Sequence, residues 1–372
     1  MPQSKPLPDL HIPHSRSTVS VSIIDSTGHV SNIPVKAFME PPVPGYDLLS
    51  APCYSFLIKR NNPENPSKYD TLLFDLGIRK DVDNSPKVIL ERINNGGFKV
   101  SVSKNISEIL QDNGEDLNSV GGIIWSHHHW DHTGDPSTFA PSTDLIVGPT
   151  FKSKFVPGYP TKEDSLVDER AWEGRDLREI DFDSESNGLK LGRFRAYDFF
   201  GDGSFYLLES PGHTMNHMCG LARTSAEPAE FIIMGGDICH HGGEWRPNAY
   251  VPLPENIQPN PLVAPFAETA SVCPGSIFEA IHPNKSSDEP FMKPAGAVHE
   301  DQQQVIESAQ KWEEFDAAAN VFAVIAHDQS LFDILEYYPK RANNWREKGW
   351  KDQGRWRFLR DFDTGNDEHK PQ

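Results

Sequence analysis

Short apolar runs separated by glycine, aspartate and asparagine dominate this chain, a rhythm of strands and turns more than of long helices. Val19-Ser20-Val21-Ser22-Ile23 alternates as a half-buried strand does, and Tyr54-Ser55-Phe56-Leu57-Ile58 and Thr71-Leu72-Leu73-Phe74-Asp75 continue a first sheet. Gly122-Ile123-Ile124-Trp125 and 321–325 read as further strands, and Leu145-Ile146-Val147 with the segments 189–197, 205–208, 218–222 and 231–234 continues the series into a second sheet. Ile106, Ile109 and Leu110 recur at helical spacing before Gly114, which predicts a helix over 105–113. Val305, Ile306, Ala309 and Trp312 share one helical face, which predicts another over 299–315. No internal repeat is visible.

Composition divides the chain further. Residues 1–18, rich in proline, serine and histidine without apolar period, are expected to form a flexible arm, and 19–372 one domain. The stretch 247–294 holds ten prolines, too long for an ordinary connection, so 243–298 is expected to be a lid or an insertion beside the site, a passive insertion being the plainer alternative. In the C-terminal extension 340–372, Trp345, Trp350 and Trp356 alternate with Arg346, Lys348, Lys351, Arg355 and Arg357. Such a run can stack on bases, but Glu347, Asp352, Asp361 and Asp363 dilute it. Packing on the body is the expectation, and packing on a second subunit leaves a homodimer open.

A formal net charge of −19 over 372 residues repels polyanions, which argues against nucleic acid and acidic membrane surfaces as partners. The opening residues lack the apolar stretch of a secretory signal and no run is long enough to span a bilayer, so a cytoplasmic protein is expected. Cys53, Cys219, Cys239 and Cys273 lie far apart, which predicts free thiols and no zinc knuckle.

The chemistry concentrates in Ser126-His127-His128-His129-Trp130-Asp131-His132-Thr133-Gly134, directly after an apolar run. Imidazoles and a carboxylate delivered on one loop suit a divalent first-row metal. Three further donors follow strand-like runs: His213 in Ser210-Pro211-Gly212-His213-Thr214, Asp237 in Gly235-Gly236-Asp237, and His327 in Ala326-His327-Asp328. Taken singly, His213 and His327 read as core histidines and Asp237 as a turn. His128 is expected to point away from the metals, because neighbouring residues alternate in direction.

This order of donors resembles the metallo-β-lactamase superfamily over roughly residues 21–335, and within it the lactonase-like branch, most closely fungal members that open lactone or lactam rings. The resemblance implies an α/β fold, a four-layer αβ/βα sandwich with a dinuclear site at one edge. It implies His127, His129 and His213 on one cation, Asp131, His132 and His327 on the other, and Asp237 between them, the metals being zinc. Hydroxide generated between the cations would attack a cyclic amide or ester, with Asp131 carrying the proton to the leaving group. Asp75, after its strand, resembles the superfamily's supporting carboxylate, a surface turn being the alternative.

One position departs from the branch. Lactonases acting on acylated homoserine lactones carry tyrosine three residues after the bridging aspartate, where this chain has His240. His240 is read as the catalytic donor that orients the carbonyl or protonates the leaving group, with His241 as a second choice at the substrate and a merely supporting role as the alternative. Trp130 is the aromatic expected to touch a flat or apolar small-molecule substrate, whereas Phe139, Phe151, Phe155, Tyr159 and Trp172 fit either a pocket or the core. Competing readings are a thioesterase or phosphodiesterase on the same fold, an iron-dependent oxidoreductase of the persulfide dioxygenase kind, and a non-catalytic binder.

Overall fold

Val19–Pro34 and Leu48–Arg60 form the longest antiparallel pair, with Val21 opposite Ile58 and Ile23 opposite Phe56. In the computed structural model, which describes residues 4–62, 64–185, 187–267 and 272–365, this hairpin anchors a seven-stranded sheet. Its order is Lys99–Ser101, Val19–Pro34, Leu48–Arg60, Thr71–Phe74, Gly122–Ile124, Asp144–Val147, Leu177–Glu179. A six-stranded sheet faces it, ordered Val321–Val324, Ala229–Met234, Met218–Ala226, Phe205–Glu209, Phe194–Asp198, Lys190–Leu191.

Strand periodicity sorts the side chains into layers. Phe205, Leu207, Ile232, Met234, Phe322 and Val324 point inward against Val21, Ile23, Phe56, Ile58 and Phe74 of the first sheet. Tyr206, Leu208, Phe231, Ile233 and Val321 point outward, under Ala309, Trp312 and Phe315 of the helix Gln302–Ala317. Leu57, Leu73, Ile123 and Leu145 meet Ile106 and Leu110 of the helix Ile106–Asp112 on the other side. Strands covered on both faces read as continuous apolar runs, and the result is the four-layer αβ/βα sandwich of the metallo-β-lactamase type.

The helix expected over 105–113 spans Ile106–Asp112, capped by Asn105 and Glu108. The one expected from position 299 starts at Gln302 instead, because Asp301 caps it through the Gln304 amide and His299 is turned into the protein. The strand expected over 189–197 is a hairpin, Lys190–Leu191 and Phe194–Asp198, folded at Gly192-Arg193.

Residues 4–18 do not hang free as expected of an arm. Leu10 is buried against the second sheet, its carbonyl accepts the Gly192 amide, and the Pro13 carbonyl accepts the Arg223 guanidinium. The proline-rich stretch forms a third apolar cluster in which Leu253, Ile257, Phe278, Phe291 and Met292 pack on Val30, Ile33 and Leu49 and on Trp356, Phe358, Leu359 and Phe362. The C-terminal tryptophans are thus structural: Trp345 and Trp350 are buried, and Trp345 stacks on Phe322. Arg246 clamps these parts together, donating to both carboxylate oxygens of buried Asp316 and to the Arg355 carbonyl. The four cysteines are free and buried. Among the described residues no helix is long and apolar enough to cross a membrane.

Candidate metal centre

Strand direction gathers the donors. Thr71–Phe74 runs parallel to Gly122–Ile124, so Asp75 and the loop from Ser126 emerge at the same edge. In the opposite sheet Ala229–Met234 runs parallel to Val321–Val324, which brings Asp237 and His327 out together. His213 sits in the turn between Phe205–Glu209 and Met218–Ala226. Gly212 lets that turn touch the start of the long helix: its φ is +129°, and a Cβ there would lie 2.0 Å from the Val305 amide nitrogen.

Asp237 lies between two donor groups. Its Oδ2 is 3.3 Å from His213 Nε2 and 3.7 Å from His127 Nε2, while its Oδ1 is 3.0 Å from His132 Nε2 and 3.1 Å from His327 Nε2. His129 Nδ1 completes the first group, 2.9 Å from His213 Nε2, and Asp131 Oδ2 joins the second, 3.5 Å from His327 Nε2. Donor atoms around a tetrahedral zinc with bonds of about 2.0–2.1 Å lie about 3.3 Å apart, so these separations are those of a coordination sphere. His127 Nε2 and Asp237 Oδ1 are moreover buried without a hydrogen-bond partner in the protein, which such a cation would satisfy. Both groups could therefore hold a divalent metal ion. Cys53 approaches His327 from the Nδ1 side, at 4.0 Å, away from Nε2.

The imidazoles are held by partners behind them, as metal-binding histidines usually are. His132 Nδ1 donates to Asp75 Oδ2 at 2.9 Å, and Asp75 also accepts the Ser126 amide and hydroxyl. His327 Nδ1 donates to the Pro52 carbonyl at 2.7 Å. His217 Nε2 accepts the Asp237 amide, fixing the backbone of the shared carboxylate. His213 Nδ1 faces His299 Nδ1 at 3.1 Å, and His299 Nε2 donates to the Phe38 carbonyl.

Burial drives His127, His129 and His213 well below the ordinary histidine pKa, leaving their lone pairs available. Burial opposes charge on His132 and His327 too, yet Asp237 draws both well above the ordinary value, with Asp75 adding to His132. Positive charge is thus favoured beside Asp237, where a cation would supply it.

A cavity of 350 Å³ opens onto this edge. Val30, Ile33, Leu49, Phe38, Phe98 and Trp130 form apolar walls, and Asp131, Asp237, His240 and His327 form its floor. Trp130 is in place to touch a bound molecule. His240 also faces the centre, its Nε2 3.2 Å from Asp237 Oδ2, and its buried Nδ1 has no protein partner. His241 does not line this cavity but a smaller neighbouring one of 180 Å³, which it shares with His240 and His327; its Nδ1 accepts the Gly243 amide and its Nε2 meets Asp361. His128 turns from the donors, bonding Asn216 and packing on Phe155. Phe139, Phe151 and Phe155 are core residues, and Tyr159 and Trp172 line a separate surface hollow.

Reading the residues alone missed His217, His299 and Phe38. His217 follows His213 by four positions in one short turn, a spacing that could have been noticed. His299 lies 86 residues from His213, inside a segment whose apolar period reads as helix, and carries no local signal.

No protein-family model matches the chain. It is 50% identical over 357 residues to gamma-lactamase FDB1 of Fusarium pseudograminearum, covering 95% of this chain and 85% of the relative. It is 39% identical over 363 residues to metallo-hydrolase mfmC of Annulohypoxylon moriforme, covering 96% and 91%. Over 223 residues, 60% of this chain and 91% of the relative, it is 55% identical to gamma-lactamase MBL2 of Gibberella moniliformis. Among solved structures, a variant of AiiA from B. thuringiensis with N-decanoyl-L-homoserine at its active site matches with a TM-score of 0.55 at 15% identity, covering 88% of this chain and 100% of that one, a likeness of fold. With these relatives matched over nearly their whole length, and the ordered donors at the strand ends, the chain belongs to the metallo-β-lactamase superfamily, in its lactonase-like branch.

Proposed function

We propose that this protein is a dinuclear metal-dependent hydrolase that opens a cyclic amide or ester, a lactam, lactone or cyclic carbamate, of a small apolar or aromatic molecule. The observation that carries the proposal is Asp237, whose two oxygens each face a different set of imidazoles. His127, His129 and His213 would hold one cation, Asp131, His132 and His327 the other, with Asp237 shared. This nitrogen and oxygen set, open toward a cavity, suits catalytic zinc. Bound there, the metal ions supply Lewis acidity and lower the pKa of water toward about 7.

The protein's own residues do the rest. Trp130, Phe38 and Phe98 hold the ring system and keep water from it. Asp131, half-buried at the floor, accepts a proton at its carboxylate and returns it to the departing nitrogen or oxygen. An amide nitrogen needs this more than an alkoxide does. His240, with a ring nitrogen unpartnered in the protein, hydrogen-bonds the substrate carbonyl or leaving group. The ring-amide class is carried over from the two relatives named gamma-lactamases.

The test is metal analysis of freshly purified protein together with kcat/KM for lactams, lactones, cyclic carbamates, thioesters and phosphodiesters. Two zinc ions per chain and highest turnover on a ring amide or ester are expected. Iron without zinc, or a preference for thioesters or phosphodiesters, would overturn the proposal.

A further inference from the structure

The run that follows the proline-rich stretch, 295–301, borders the metal centre and is tied to the body at both ends. The Ala295 amide donates to the Phe38 carbonyl at 2.8 Å, and the Glu300 and Asp301 amides donate to the His213 and Gly212 carbonyls, each at 3.0 Å. Between these ties Gly296, Ala297 and Val298 line the substrate cavity. Gly296 makes the approach feasible: its φ is +96°, and a Cβ would lie 2.2 Å from the Ala37 carbonyl oxygen. His299 then enters the protein behind His213.

Hydrogen-bond geometry favours one arrangement of protons in this contact when a cation occupies the centre. A carbonyl can only accept, so His299 Nε2, 3.0 Å from the Phe38 oxygen, carries its hydrogen. A neutral His299 therefore presents a lone pair at Nδ1, and His213 Nδ1, 3.1 Å away, must bring the hydrogen. That leaves His213 Nε2 as the lone pair that a cation held with Asp237 and His129 would take; without a cation, Nε2 would instead donate to Asp237 Oδ2. His132 has a carboxylate for this purpose and His327 a backbone carbonyl. His213 depends on a side chain from the run that links the proline-rich segment to the long helix.

We infer that His299 is a positioning residue that sets the tautomer and ring orientation of His213, so that the run 295–301 both shapes the substrate cavity and completes one of the two metal sets. This rests on the reading above that His213 holds a cation. Glutamine preserves the relay, since its oxygen accepts from His213 while its amide nitrogen donates to Phe38. Leucine fills similar volume and does neither.

The full-length protein is titrated with zinc against a competing chelator, for wild type, His299→Gln and His299→Leu, and imidazole tautomers are read from nitrogen chemical shifts. His299→Leu is expected to weaken one zinc by about 10–100-fold and leave the other unchanged, the usual effect of losing such a support, and His299→Gln to stay near wild type. In the zinc-loaded wild type His213 should carry its hydrogen on Nδ1. The inference is overturned if His299→Leu binds both ions as wild type does, if His299→Gln is as impaired as His299→Leu, or if His213 of the zinc-loaded wild type carries its hydrogen on Nε2. The tautomer measurement decides the matter even where His299→Leu fails to fold. A wild type that binds no zinc at the His213 set would instead sink the underlying metal assignment.

Discussion

Asp75 Oδ2 accepts the Nδ1 hydrogen of His132 at 2.9 Å, and through that bond a carboxylate on one strand end aims His132 Nε2 at Asp237. Asp75 itself sits at φ 58°, a left-handed conformation that aspartate and asparagine tolerate better than most residues.

Asp75→Asn keeps that backbone but removes the negative charge behind His132. Metal affinity and kcat/KM should fall by about 10–100-fold with the fold intact. Zinc titration alongside circular dichroism checks this; an unchanged affinity would show that the Asp75 to His132 bond does not matter for binding.

Exhaustive chelation should abolish turnover and lower Tm, because it leaves buried His127 Nε2 and Asp237 Oδ1 without partners. Both should return on adding zinc. Full activity after dialysis against a strong chelator, with metal content confirmed as nil, is the contrary result.

Trp130 lines the larger cavity at the metal centre and His241 the smaller one beside it, so the two test which cavity takes the substrate. Trp130→Ala removes an aromatic wall and should lower kcat/KM for apolar ring substrates by about 10-fold, mostly through KM. His241→Ala should leave kcat/KM within about 2-fold and act on stability, since its ring bonds Gly243 and Asp361 and stacks near Tyr46. Steady-state kinetics on both variants with one substrate decides the contrast.

The Arg246 and Asp316 pair sets an acid limit on stability. Burial would raise the Asp316 pKa, but the Arg246 guanidinium holds it far below the usual carboxylate range. An acid depressed in the folded state binds fewer protons there than when unfolded, so its stabilisation is complete above the ordinary value of about 3.9 and is lost as pH falls toward the folded value. Arg246→Ala leaves a buried charge unpaired and should cost about 3–5 kcal/mol at neutral pH. Urea melts of wild type and variant between pH 7 and about 3 should show the gap narrowing with acid.

Legibility followed sequence distance and burial. The run His127 to His132 could be read directly because its donors share one loop, and His213, Asp237 and His327 because each follows an apolar strand. The apolar run 205–208 could be read as a strand, but only the packing shows Phe205 and Leu207 facing one layer and Tyr206 and Leu208 the other. Spacing from Asp237 put His240 ahead of His241, but where the His241 ring turns was not legible, because only the packed C-terminal run offers it an Asp361.

By itself, then, the sequence determined the donor types, their order and the strands that end in them, because strand periodicity and strand-end loops are local properties. Tertiary structure decided the rest: that Asp237 faces both donor groups, that residues from the first hairpin wall the cavity, and that His299 stands behind His213. These relations join residues far apart in the chain. Parallel strand pairing and the packing of the proline-rich segment create them, and neither leaves a periodic trace.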